Sequence, residues 1–335
     1  MLFKKLFAAV SAVALAAVLF AAPASAQASG DDLEKTFAAD LAPINVPGGG
    51  TAEVTVSGGQ ATVIIEAADL SPAVAPHAQH IHGVIGAPNQ CPDPDTADSD
   101  GDGIVTTAEG VPFYGGIQVA LTTSGDMSPD SGLATDRFPV TEGGAYTYER
   151  TFPIAQQIAD SLGNHVIVIH GADLNASGEY DGDARSSINP DLPLEATVPT
   201  ACGELMLRNI DLPAAYDGAA GAEGSIVRLY VTLLDRTPDA GGFDYWVDRL
   251  QTNDVKVIAR AIAGSAEFEA RYGDVLQSST GEWVDFVYGA VLGRNPDTSG
   301  QQYWVAQIDQ GNLSRIGMLT LFANSAEFRG LTGTS

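Results

Sequence analysis

The chain has 335 residues, with 16 lysines and arginines against 42 aspartates and glutamates, a formal charge of −26. Such acidity argues against nucleic acid and anionic membrane surfaces as partners and suits a protein that meets divalent cations. At this length, with 45% apolar residues, the chain can bury two cores.

Residues 1–26 read as a secretory signal peptide. Lys4 and Lys5 start it, an apolar run follows, and Ala24-Ser25-Ala26 supplies the small residues a signal peptidase needs. No later stretch is apolar enough to span a bilayer, so the mature chain is expected to be exported, either released or held at the cell surface.

The acidity is uneven. Residues 27–211 carry 5 basic and 27 acidic side chains, and residues 212–335 carry 9 and 15. Within the first part, β-branched runs at 51–57, 61–67, 116–122, 145–152 and 165–170 are parted by Gly, Pro and Asp clusters. Short strands punctuated in this way predict an all-β sandwich or barrel, with one helix at 154–162. The only cysteines, Cys91 and Cys202, are expected to form a disulfide in an exported chain.

All five histidines lie in this part: His77, His80, His82, His165 and His170. His80 and His82 are two apart, so on a strand both rings share a face. His165 and His170 are five apart and face opposite ways, so one of them can join the pair. Three imidazoles on one sandwich face suit copper or zinc.

Residues 98–109, DSDGDGIVTTAE, carry the ligand spacing of an EF-hand calcium loop. Asp98, Asp100, Asp102 and Glu109 would bind through side chains, Ile104 through its carbonyl, and Thr106 directly or through water. Gly103 permits the positive φ of the turn. The preceding run, 89–94, holds two prolines and predicts no incoming helix. The exit predicts one helical turn before Gly110 and Pro112 end it. A lone loop of this kind is expected to stabilise and not to switch. Asp173-x-Asn175-x-Ser177-Gly178 begins like a second loop, but Ala184 stands in its twelfth place.

An exposed Ala/Gly-rich linker is expected at 212–224, followed by an all-α domain over 225–335. This domain repeats itself at an offset of about 58, giving copies at 225–274 and 283–331. Each copy predicts a helix ending at Leu-x-Arg, a Pro-Asp-x-x-Gly turn, a helix carrying Tyr-Trp-Val, and a third helix before Ser-Ala-Glu-Phe. Trp246 and Trp304 read as core residues, and Arg236 and Arg294 as partners of Asp239 and Asp297. The motif Leu-x-Arg-x-Pro-Asp-x-x-Gly-x-x-Tyr-Trp with its Ser-Ala-Glu-Phe tail resembles the family called domain of unknown function 4214. That resemblance implies a secreted or surface-attached bacterial protein and no particular chemistry.

In the first domain, Pro76-His-Ala-Gln-His-Ile-His-Gly resembles the copper-binding strand of Cu/Zn superoxide dismutases. Val166-Ile-Val-Ile-His-Gly resembles the strand with the last copper histidine, and Thr200-Ala-Cys-Gly resembles the end of that domain. A related resemblance is to the chordin-type (CHRD) β-domain. These resemblances imply a dismutase-like sandwich with His80, His82 and His170 as a copper site and the calcium loop where the enzymes carry their zinc loop. The departures matter more for function. No histidine lies between His82 and His165 to bridge two metals, and Pro199 stands where the enzymes have their active-site arginine. The sequence therefore favours a non-enzymatic calcium-binding protein whose helical repeats meet an extracellular protein or matrix component. A copper-dependent superoxide or related redox activity at the three histidines is the alternative.

Overall fold

The computed structural model describes residues 33–85 and 87–335. The expected signal peptide lies outside the described residues. The first domain is a curled antiparallel sheet of nine strands in the order β5-β4-β7-β8-β1-β2-β3-β6, with β9 also paired to β1. Its strands are β1 (Glu34–Pro43), β2 (Gly49–Ser57), β3 (Gln60–Ala68), β4 (Gln79–Gly83), β5 (Gly116–Ala120), β6 (Tyr146–Pro153), β7 (Val166–His170), β8 (Pro199–Glu204) and β9 (Met206–Asp211).

The curl is made by β1. Residues 35–41 pair with β2 on one side and residues 34–38 with β9 on the other, whereas Ala42 and Pro43 pair with β8. One strand thus joins two layers, and the layers enclose Phe37, Val54, Val63, Ile65, Ile81, Ile167 and Ile169. Phe37, Ala39 and Leu41 are buried at every second position, the period a half-buried strand requires. Between β2 and β3, Gly58 and Gly59 have φ of 58° and 70°, the left-handed pair a two-residue hairpin needs.

The helix expected at 154–162 is much shorter. A single turn, Gln156–Ala159, is followed by a 3-10 turn, Leu162–Asn164. The Ser161 hydroxyl bonds the carbonyls of Gln157 and Ile158, which diverts the backbone from a longer helix.

Two other short helices flank the acidic loop: α1 (Pro94–Ala97) and α2 (Thr107–Tyr114). With Gln156–Ala159 as α3, the second domain contributes α4 (Gly221–Leu234), α5 (Ala240–Leu250), α6 (Val255–Ala263), α7 (Ala266–Leu276), α8 (Thr280–Val287), α9 (Thr298–Asp309), α10 (Arg315–Ala323) and α11 (Ala326–Thr332). A π-helical turn, Tyr288–Leu292, extends α8. Helix α4 begins inside the segment expected as linker.

Each helical copy has four helices, not three. The tail motif opens the fourth, because Ser265 and Ser325 cap α7 and α11 by accepting from the amides of Phe268 and Phe328. The Pro-Asp-x-x-Gly turn is likewise a cap, with Asp239 and Asp297 accepting from Gly242 N and Gly300 N. The arginines therefore pair elsewhere. Arg236 makes two bonds to Glu267, at 2.5 and 2.9 Å, and Arg294 makes two to Glu327, at 2.6 and 3.0 Å. The repeated Arg and Glu tie the first helix of each copy to its fourth. Trp246 is buried, and Trp304 is half-buried with its indole N–H on the Tyr288 hydroxyl.

The two domains share one apolar core. Leu207 N on β9 donates to Gly293 O at 2.9 Å. Beside it, Arg271 bonds both Asp160 and Asp235 at 2.6 Å, and Lys35 also pairs with Asp235.

Candidate metal centres

The sheet brings three of the five histidines together. His80 and His82 project from β4, and His170 ends β7, which pairs with β4. One ring nitrogen from each lies within 4.8 Å of the others. All three residues are buried, at 3 to 4% exposure.

Backbone carbonyls fix the tautomers, because a carbonyl can only accept. His82 Nδ1 lies 3.0 Å from Gly115 O, and His170 Nδ1 lies 2.8 Å from Thr197 O. Both Nδ1 atoms therefore carry the proton, and both Nε2 atoms present lone pairs, 3.4 Å apart. His80 is turned the other way. Its Nε2 donates to Gly132 O at 3.0 Å, and its Nδ1 is buried without a partner. Three bare nitrogens converge, each on a ring held by a carbonyl on its far side. A metal-bound histidine characteristically gives its other ring nitrogen to a carbonyl or carboxylate in this way, which fixes the ring's orientation. Burial holds the rings neutral: it pushes His82 down to about 3, His170 to about 4, and His80 well below its usual value. Neutral imidazole is the form that ligates.

The other two histidines stand apart. His165 Nδ1 bonds Ser161 O at 2.7 Å, and His77 Nδ1 lies 3.2 Å from both His170 O and the Tyr180 hydroxyl. Tyr114 at the end of α2 packs on His82, with ring centroids 4.6 Å apart. The sequence pattern did not mark Tyr114 or the three orienting carbonyls. A carbonyl carries no residue signature, and Tyr114 reaches the site through the unexpected length of α2.

That length corrects the expectation that Gly110 and Pro112 end the exit turn. A capping box of Thr106 and Glu109 opens α2. Gly110 leaves room for the Tyr114 ring, which a Cβ there would meet at 2.3 Å, and the Tyr114 hydroxyl bonds Thr107 O at 3.1 Å. Burial of this ring outweighs the amide lost at Pro112.

In the acidic loop, Asp98, Asp100 and Asp102 offer carboxylate oxygens within 4.8 Å of one another. Asp98 accepts from Gly101 N and Gly103 N, both at 2.8 Å, and Asp102 accepts from Ile104 N at 2.8 Å. Glu109 is not gathered with them. One oxygen accepts from Ser99 N and Oγ, the other from Thr106 N and Oγ1, at 2.8 to 2.9 Å. The Thr106 amide, then Ser99, hold Glu109 down at about 2, so it is charged at every physiological pH. Val105 is buried, and Asn45 grips its backbone from both sides.

Cys91 and Cys202 form a disulfide, with Cα atoms 5.7 Å apart across 111 residues. It anchors the segment that leads into the acidic loop to β8.

The family described as Domain of unknown function (DUF4214) matches residues 259–332, from α6 to the end of α11. No curated protein matches the chain.

Proposed function

We propose that this is an exported metal-binding protein whose sandwich holds one copper ion on His80, His82 and His170. The observation that carries the reading is the convergence of three bare ring nitrogens, one of them buried without a partner, on rings oriented by Gly132 O, Gly115 O and Thr197 O. Three imidazoles with an open side suit Cu(I) and Cu(II) better than a closed tetrahedral zinc site. Redox cycling is the chemistry a bound copper would supply. The pairing of β4 with β7 and the Cys91–Cys202 bridge support a dismutase-like or chordin-type sandwich, and the disulfide supports an oxidising compartment. The cavity above the triad carries no lysine or arginine among the described residues, which argues against fast superoxide turnover.

The test is metal analysis of the exported protein with an electron paramagnetic resonance spectrum. One copper per chain is expected, with a nitrogen-rich signal. His82→Ala and His170→Ala each remove it. Copper retained in both variants overturns the reading.

A second reading concerns the acidic loop. The carboxylates of Asp98, Asp100 and Asp102 already face one another, which supports a structural calcium site completed by Ile104, Thr106 and Glu109. Glu109 would have to leave Ser99 and Thr106 to take part. The helical repeats, whose motif residues are spent on caps and ion pairs, are left as a partner-binding platform toward an extracellular protein or matrix component.

A further inference from the structure

The three histidines line a cavity of about 290 Å³ whose wall also includes Leu133 and Ile188. These two side chains are 42% and 48% exposed, among the most exposed large apolar residues of the first domain. Ile117, Leu192 and Ala196 add to the apolar wall. Of the wall's threonines, Thr107 gives its hydroxyl to Thr197 O and Thr197 gives its own to Ser186 Oγ and Leu194 O, so the wall offers few free hydrogen-bonding groups. Asp130 is the one charged group on the wall among the described residues. The nearby Arg137 guanidinium is taken up by Ser124 O, Asp126 O and Ser131 Oγ, and it does not line the cavity.

An anion entering here would shed its water against aliphatic carbon, pass Asp130, and do so in the field of a chain of charge −26. An uncharged ring would gain from the same wall. A cavity of roughly 150 Å³ already holds benzene, so this one has room for a substituted ring. We propose that the cavity is a binding site for a small uncharged aromatic alcohol of the phenol class, which it admits to the histidine centre in preference to anions. The role of the histidine centre in this proposal rests on the copper reading above; the cavity's preference does not.

The experiment titrates phenol and azide into the copper-loaded full chain, read by Cu(II) absorption and paramagnetic resonance. Phenol is expected to perturb the spectrum at about tenfold lower concentration than azide. Leu133→Lys with Ile188→Lys, both at exposed positions, is expected to reverse that order. Azide acting first in the unaltered chain, or phenol unaffected by the paired substitutions, overturns the proposal. Phenol is also titrated calorimetrically into the metal-free chain. If copper is not taken up, phenol binding that disappears in the paired variant sustains the cavity while the copper reading falls. Absence of phenol binding in both forms overturns it.

Discussion

At the scale of single residues, what separates the histidines is where each ring's second nitrogen points. His80, His82 and His170 each give one nitrogen to a carbonyl, and the three rings bring ligand nitrogens within 4.8 Å of one another. His165 also gives Nδ1 to a carbonyl, that of Ser161, but its buried Nε2 faces no other ligand atom. Its ring lies against Gly83, where a Cβ would meet it at 2.4 Å. Burial lowers the His165 pKa below the usual imidazole value, with the Ser161 carbonyl opposing. The folded-state pKa is thus below the unfolded one, so as pH falls below about 6.5 the unfolded chain takes up a proton that the folded chain refuses. Stability is lost through that window until the folded pKa is reached. Replacing His165 with Leu should make the loss between pH 7 and pH 5 smaller, by at most about 2 kcal/mol. Urea unfolding of both proteins at the two pH values measures it, and equal losses would remove His165 as a contributor.

At the scale of elements, α2 links the two candidate metal centres. Its first turn is capped by Thr106 and Glu109 of the acidic loop, and its C-cap, Gly115, supplies the carbonyl that orients His82. Calcium in the loop would act on the first turn of this short helix, whose other end orients His82. A site of the extracellular class, with Kd of roughly 10⁻⁴ to 10⁻³ M, should stabilise the chain by about 1–3 kcal/mol at ten to a hundred times Kd. Melting temperature should therefore rise by a few degrees in millimolar calcium and fall back with chelator. Asp98→Asn should abolish the rise; a rise that persists in that variant would place the cation elsewhere. Much of this element scale was legible in the sequence. Period-two runs marked β2, β3, β5, β6 and β7, and ligand spacing marked the acidic loop. The strand β1 was missed because Glu34–Pro43 has only Phe37 and Leu41 as large apolar residues, three alanines and no valine or isoleucine, and its pairing with three neighbours overrides that weak propensity. The fourth helix of each copy was missed because Ser-Ala-Glu-Phe read as a tail, although a serine three residues before a phenylalanine amide is a cap.

At the scale of the whole molecule, the boundary between the halves is a packed seam, and nothing in the composition announced it. The linker reads as a spacer, whereas the domains meet through residues far apart in the chain. Gly163 lies against Gly293, Asn164 against Gly289, and Leu207 against Gly293. Gly293 is the tightest point. Its φ is +59°, and a Cβ there would sit 2.0 Å from the Cβ of Leu207. It also ends the π-turn as its left-handed cap. Alanine at this position adds backbone strain and an overlap with β9, so Gly293→Ala should cost roughly 2–4 kcal/mol. Because the core is continuous, that cost should fall on the whole protein. Calorimetry should show one transition in the unaltered chain and a lowered transition in the variant. The Arg271–Asp160 ion pair joins the two halves, and Arg271 also bonds Asp235, which keeps Lys35 as a second partner. Arg271→Ala should therefore weaken the same transition by about 2 kcal/mol. Separate melting of the helical half, with the sheet unchanged, would show that the seam does not couple the two.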